Sequence, residues 1–122
     1  MKLRIRGNSI RLRLNQRETE KLNFDGMYEE KTQFPNGSVL SYSLLINDKV
    51  LEPTAEFDGK SIKVHIPREA AQKWLRNPDE IGIYSDNQSL KIIIEKDFRC
   101  LVPRGEEDLD AYPHPKENQD QC

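Results

Sequence analysis

The chain has 122 residues, enough for one domain that buries roughly two thirds of the surface its unfolded form would expose. Hydrophobic residues make up 35% and charged residues 33%, and no long apolar run occurs, which excludes a membrane-spanning helix and calls for a modest core under a charged surface. The formal net charge of −2 hides a split: from Pro103 onward six acids face only Arg104 and Lys116, a balance of −4, so the preceding residues carry +2.

The opening MKLRIRGNSI alternates basic and apolar residues, unlike a secretory signal or an anchor, and the expected location is the cytoplasm. In that reducing compartment Cys100 and Cys122 are expected as free thiols. Residues 1 to 13 hold Lys2, Arg4, Arg6, Arg11 and Arg13 with no acid.

Alternation over Leu3 to Ile5 and Ile10 to Leu14 predicts two half-buried strands, joined by a tight turn at Gly7-Asn8. In that register Arg4 faces Arg11 and Lys2 faces Arg13, while Leu3, Ile5, Leu12 and Leu14 share the opposite face. Asn15, with Glu18 three residues on, is a capping pair that starts a helix of about two turns, ending near Asn23 to Gly26. Met27 to Phe34 and Val39 to Ile46 are strands around the turn Pro35-Asn36-Gly37.

The order then recurs. Phe57, the Asp58-Gly59 turn and Ile62 to Ile66 form a third hairpin, and Pro67 introduces a helix over Arg68 to Arg76 that buries Ala70, Ala71, Trp74 and Leu75. Glu80 to Ser85 and Leu90 to Glu95 close a last hairpin, with Ile92-Ile93-Ile94 as its core strand. At an offset of 52, SIRLRLNQRETEKL from Ser9 overlies SIKVHIPREAAQKW from Ser61 in pattern.

The sequence therefore predicts a mostly β, α+β domain over 1–102, built from two hairpin, helix, hairpin units (1–48 and 49–98). The two units share one small barrel or sandwich about a pseudo-twofold axis. Residues 103–122 are expected to form a flexible acidic tail.

The second unit resembles the AbrB and MazE type of swapped-hairpin barrel through Ile66-Pro67, Glu69, Glu80-Ile81, Ile83-Tyr84 and Lys91-Ile92-Ile93. Arg4, Gly7, Asn8, Ser9 and Arg13 are similar to the MazE opening. Departures are Asn15, where that family has proline, and Glu56 and Asp58, where a basic strand would stand. The resemblance implies a single-chain pseudo-dimer presenting a basic hairpin to DNA, with half of the surface missing unless the chain dimerises. The chain also looks like a group of small bacterial proteins of unknown function that open with a similar KLRIRGNSIRLRL string and close with Cys-Leu, an acidic run and an aromatic-Pro pair.

Like charges opposed on a strand pair require a counter-charge, so Lys2, Arg4, Arg6, Arg11 and Arg13 are the candidate polyanion site for DNA or RNA. The plain alternative is a solvated face neutralised by Glu29, Glu30 or their neighbours. Glu106, Glu107, Asp108, Asp110 and Tyr112 form a candidate partner-binding segment, of the kind that wraps a toxin in the resembled antitoxins, or that folds back over the arginines.

Catalytic signals are thin. His65 and His114 have no acid at a spacing that suggests a dyad, and Cys100, Asp108, Asp110 and His114 match no standard zinc pattern. The expectation is a binding module without cofactor, metal or catalytic residues. The rival enzyme reading, on a phosphorylated substrate, places the basic side chains in a barrel interior with Glu29 or Glu95 to hold a metal.

Overall fold

A computed structural model describes residues 1–86, 89–98 and 112. Eight strands and two helices follow one another as β1 (Lys2–Arg6), β2 (Ser9–Leu14), α1 (Gln16–Asp25), β3 (Met27–Gln33), β4 (Val39–Ile46), β5 (Thr54–Phe57), β6 (Ser61–Ile66), α2 (Arg68–Arg76), β7 (Gly82–Ser85) and β8 (Lys91–Lys96). Every element expected from the sequence is present, with ends shifted by a few residues at most.

Local chemistry explains the boundaries. The Asn15 side chain accepts from the Glu18 amide while the Glu18 carboxylate accepts from the Asn15 amide, so both free donors at the start of α1 are satisfied. Gly7 turns the first hairpin at φ +53, a backbone region where a side chain is strained. Pro67 precedes α2 with extended backbone and no amide hydrogen to leave unpaired.

The strands form two four-stranded sheets, ordered β1-β2-β8-β7 and β3-β4-β6-β5. Each hairpin is antiparallel, and the two hairpins of a sheet meet through a parallel pair, β2 with β8 or β4 with β6. Each sheet thus takes one hairpin from each half of the chain. Exchanging the halves maps β1, β2, β8 and β7 onto β5, β6, β4 and β3, which turns one sheet into the other. The register agrees: Arg4↔Arg11 and Ile5↔Ile10 correspond, 52 residues on, to Glu56↔Lys63 and Phe57↔Ile62.

Of the barrel or sandwich expected, the closed barrel does not form: the strands make two separate four-stranded sheets, each with two edge strands. One hydrophobic cluster lies between them and joins both halves: Ile10, Leu12 and Leu14 from β2, Leu44 from β4, Ile62, Val64 and Ile66 from β6, and Ile92 and Ile94 from β8. Met1, Leu22 of α1 and Ala71 and Trp74 of α2 complete it, while Leu75 packs at its margin and Ala70 is half-buried. The Trp74 indole N–H donates to the Ile81 carbonyl at 3.0 Å, so the largest core side chain buries no orphan donor. Ile93, inside the Ile triplet, points out of the core because side chains alternate along a strand. Ile5 is on the core side as expected yet remains 60% exposed, since β1 is an edge strand. With Ile10, Ala55, Phe57, Ile62 and Leu90 it lines an apolar cleft of about 310 Å³ between β1 and β5.

Candidate functional site

The outer face of the β1-β2-β8-β7 sheet collects the candidate cations. Strand pairing arranges its side chains in rows: Arg6 beside Ser9 and Lys91, Arg4 beside Arg11, Ile93 and Tyr84, and Lys2 beside Arg13, Glu95 and Gly82. The register of the first hairpin is the one read from alternation, so the arginines face away from the core. This overturns the placement of basic side chains in a barrel interior. Arg4, Arg6, Ser9, Arg11, Lys91 and Ile93 line a shallow cavity of about 170 Å³ on this face.

Counter-charge comes from β8 and the residue after it. Glu95 Oε1 lies 3.4 Å from Arg11 Nε and 3.7 Å from Arg13 Nε, and Asp97 Oδ2 lies 3.0 Å from Lys2 Nζ. Glu29 and Glu30, the neutralisers considered from sequence, are elsewhere: Glu29 stands 3.8 Å from Lys31 and Glu30 pairs with the amino terminus. Sequence reasoning named Glu95 only as a metal-holding carboxylate and not as the counter-charge of the arginines, because only the parallel β2–β8 pairing, between strands about 80 residues apart, sets it opposite Arg13. Lys91 was missed for the same reason. The Arg11 and Arg13 side chains are 24% and 31% exposed, held down rather than fully solvated.

Among the described residues this face carries Lys2, Arg4, Arg6, Arg11, Arg13 and Lys91 against Glu95 and Asp97, or 6 − 2 = +4; adding Asp86 at the end of β7 makes it +3. The corresponding face of the other sheet carries Lys31 and Lys63 against Glu29, Glu56 and, at the position that matches Arg6, Asp58, or 2 − 3 = −1. Two faces built on the same plan therefore differ in charge by four or five.

Tyr84 crosses the uncharged part of the basic face. Its hydroxyl donates to Glu95 Oε2 at 3.0 Å; burial, and then this bond, push the phenol above its usual range. Gly82 lies beneath it, where a Cβ would sit 2.5 Å from the Ile94 carbonyl oxygen and 3.0 Å from the Tyr84 hydroxyl.

Two polar clusters lie away from this face. The amino terminus forms ion pairs with Glu18 and Glu30, and Tyr42 donates to Glu30 Oε2 at 2.9 Å, with the Met1 carbonyl oxygen 3.2 Å from the same hydroxyl. Burial raises the Glu30 carboxyl, but the bonds from the amino terminus and Tyr42 outweigh it and leave it below its usual range. On the second sheet, His65 Nε2 lies 3.0 Å from Glu56 Oε1 and Nδ1 lies 3.3 Å from Asn47 Nδ2. The acid partner of His65 was not legible in spacing, because it sits on the neighbouring strand. Both ring nitrogens of His65 therefore have a polar side chain within hydrogen-bond distance.

Glu106, Glu107, Asp108 and Asp110, like Cys100 and His114, lie outside the described residues; Tyr112 is described and exposed. Among the described residues no group of three His, Cys, Asp or Glu is placed to hold a metal ion, and no helix is long and apolar enough to cross a membrane.

The sequence model of a family of unknown function (DUF7009) matches residues 1–116. No curated protein and no solved structure matches the chain.

Proposed function

We propose that the chain, which belongs to this family of unknown function, is a non-enzymatic binding module that holds a nucleic acid by its phosphates on the outer face of the β1-β2-β8-β7 sheet. One observation carries the reading: of two faces built on the same plan, one has an excess of three or four positive charges and the other has none. A fold requirement common to both halves would act on both faces, so the excess on one answers to something outside the fold. Cations spaced along neighbouring strands match the regular charges of a phosphate backbone, and several in register give salt-sensitive binding. Arg11 and Arg13, tied to Glu95, act as fixed charges, whereas Arg6 and Lys91 at the exposed end reach outward.

The exchange of hairpins between the halves supports the likeness to swapped-hairpin barrels, with this chain acting as its own pseudo-dimer. The second half has Glu56 and Lys63 where the first has Arg4 and Arg11, so one basic hairpin, extended by Lys91, serves in place of two.

The reading is tested by fluorescence-anisotropy titration of the full chain with DNA and RNA oligonucleotides over a salt series, beside Arg6→Glu with Lys91→Glu. Binding that falls steeply with salt and is lost in the double variant supports the proposal. Absence of binding at low salt, or binding unaffected by the two charge reversals, removes it.

A further inference from the structure

Across the basic face the charges are not evenly spread. Lys2, Arg4 and Arg6 occupy β1, Arg11 and Arg13 occupy β2 and Lys91 begins β8, whereas the middle row ends in Ile93 and Tyr84. With strands about 4.8 Å apart, the row Arg4, Arg11, Ile93, Tyr84 runs from a cationic to an aromatic end over about 14 Å.

Tyr84 is prepared in a specific way. The absence of a side chain at Gly82 lets the tyrosine lie along the sheet, where its hydroxyl would be 3.0 Å from a Cβ at that position. The bond to Glu95 tethers the far end of the ring, yet the residue stays 58% exposed. An exposed aromatic whose rotamer is already fixed loses little conformational freedom when something stacks on it. Nothing in the core requires it, since Ile83 supplies the inward contact of β7.

We infer, resting on the nucleic-acid reading above, that this face selects single-stranded over duplex nucleic acid, with phosphates along the β1–β2 cations and an unstacked base laid on Tyr84 beside Ile93. A duplex keeps its base faces inside the stack, so it offers phosphates to the cations but no π face to an exposed aromatic. A single strand can turn a base outward onto an aromatic surface while its backbone follows adjacent cations, and such stacking tolerates any sequence because every base has a π face.

The test uses the full chain with three probes: a mixed-sequence single-stranded oligonucleotide, the matching duplex, and inorganic polyphosphate as an anion without bases. The expected result is tighter binding of the single strand than of the duplex. Tyr84→Leu is expected to weaken the single strand about 10- to 100-fold while leaving the duplex and polyphosphate unchanged, and Tyr84→Phe, which keeps the stacking ring but loses the Glu95 tether, to weaken it far less. Thermal melts of both variants check the fold. Should Tyr84→Leu fail to fold, an upfield shift of the Tyr84 ring protons of the wild-type chain on titration with the single strand supports stacking, and its absence refutes it. Equal binding of all three probes, indifferent to Tyr84→Leu, overturns the single-strand inference and leaves the phosphate reading standing. Failure to bind any probe at low salt overturns both.

Discussion

Glu95 stands directly opposite Arg13 in the parallel β2–β8 ladder, and one carboxylate serves Arg13 and Arg11 through one oxygen and Tyr84 through the other. The basic face is therefore organised around its single acidic strand residue, in a place where three side chains from two neighbouring strands converge on it.

Replacing Glu95 with glutamine should act in two directions. Two arginines that are less than a third exposed lose their shared counter-charge, and stability should fall by about 1–3 kcal/mol, measured by denaturant unfolding with the buried Trp74 as fluorophore. The face also becomes more positive, so polyanion affinity at low salt should rise.

Neutralising the exposed cations should separate binding from stability. Arg6→Ala and Lys91→Ala are each expected to reduce the slope of log K against log salt by about 0.7–0.9 for every phosphate that the side chain neutralises. Both positions are exposed, so unfolding free energies should stay within about 0.5 kcal/mol of the parent. A salt series on the two variants, with parallel denaturation curves, measures both quantities.

Gly82→Ala should be costlier than an ordinary surface change. Its Cβ would meet the Ile94 backbone oxygen at 2.5 Å, and a ladder strand cannot move aside without disturbing β8. A loss of about 1–3 kcal/mol is expected, together with displacement of the Tyr84 ring, visible as changed ring chemical shifts.

Alkaline pH should destabilise the fold through Tyr42. Burial, followed by its bond to Glu30, pushes this phenol up to about 12. A pKa raised above the unfolded value gives stability that is complete below about pH 10 and is lost as pH rises toward about 12. Tyr42→Phe should flatten that part of the stability curve, followed by denaturant midpoints between about pH 9 and 12. At the acid end the depressed Glu30 works oppositely: its contribution is present above its unfolded pKa and disappears as pH falls through the folded one.

Much of the fold was legible because its causes are local. The Asn15 and Glu18 cap, the Gly7 turn and the two-residue alternation of RLRL act over a few positions, and each fixed an element or a face without reference to the rest of the chain. The offset of 52 also announced two similar units, since two hairpin-helix segments with the same apolar pattern must bury the same face. What the sequence could not decide was how the units interlock. Parallel pairing of β2 with β8 and of β4 with β6 depends on which distant strands complete a shared core, and hydrophobic pattern is equally satisfied by a closed barrel. That long-range choice is what brought Glu95, Lys91 and Tyr84 to the arginines. The sequence by itself determined that a basic face exists; the tertiary structure alone decided its counter-charge, its extent and its aromatic edge, because those side chains come from strands that meet only in space.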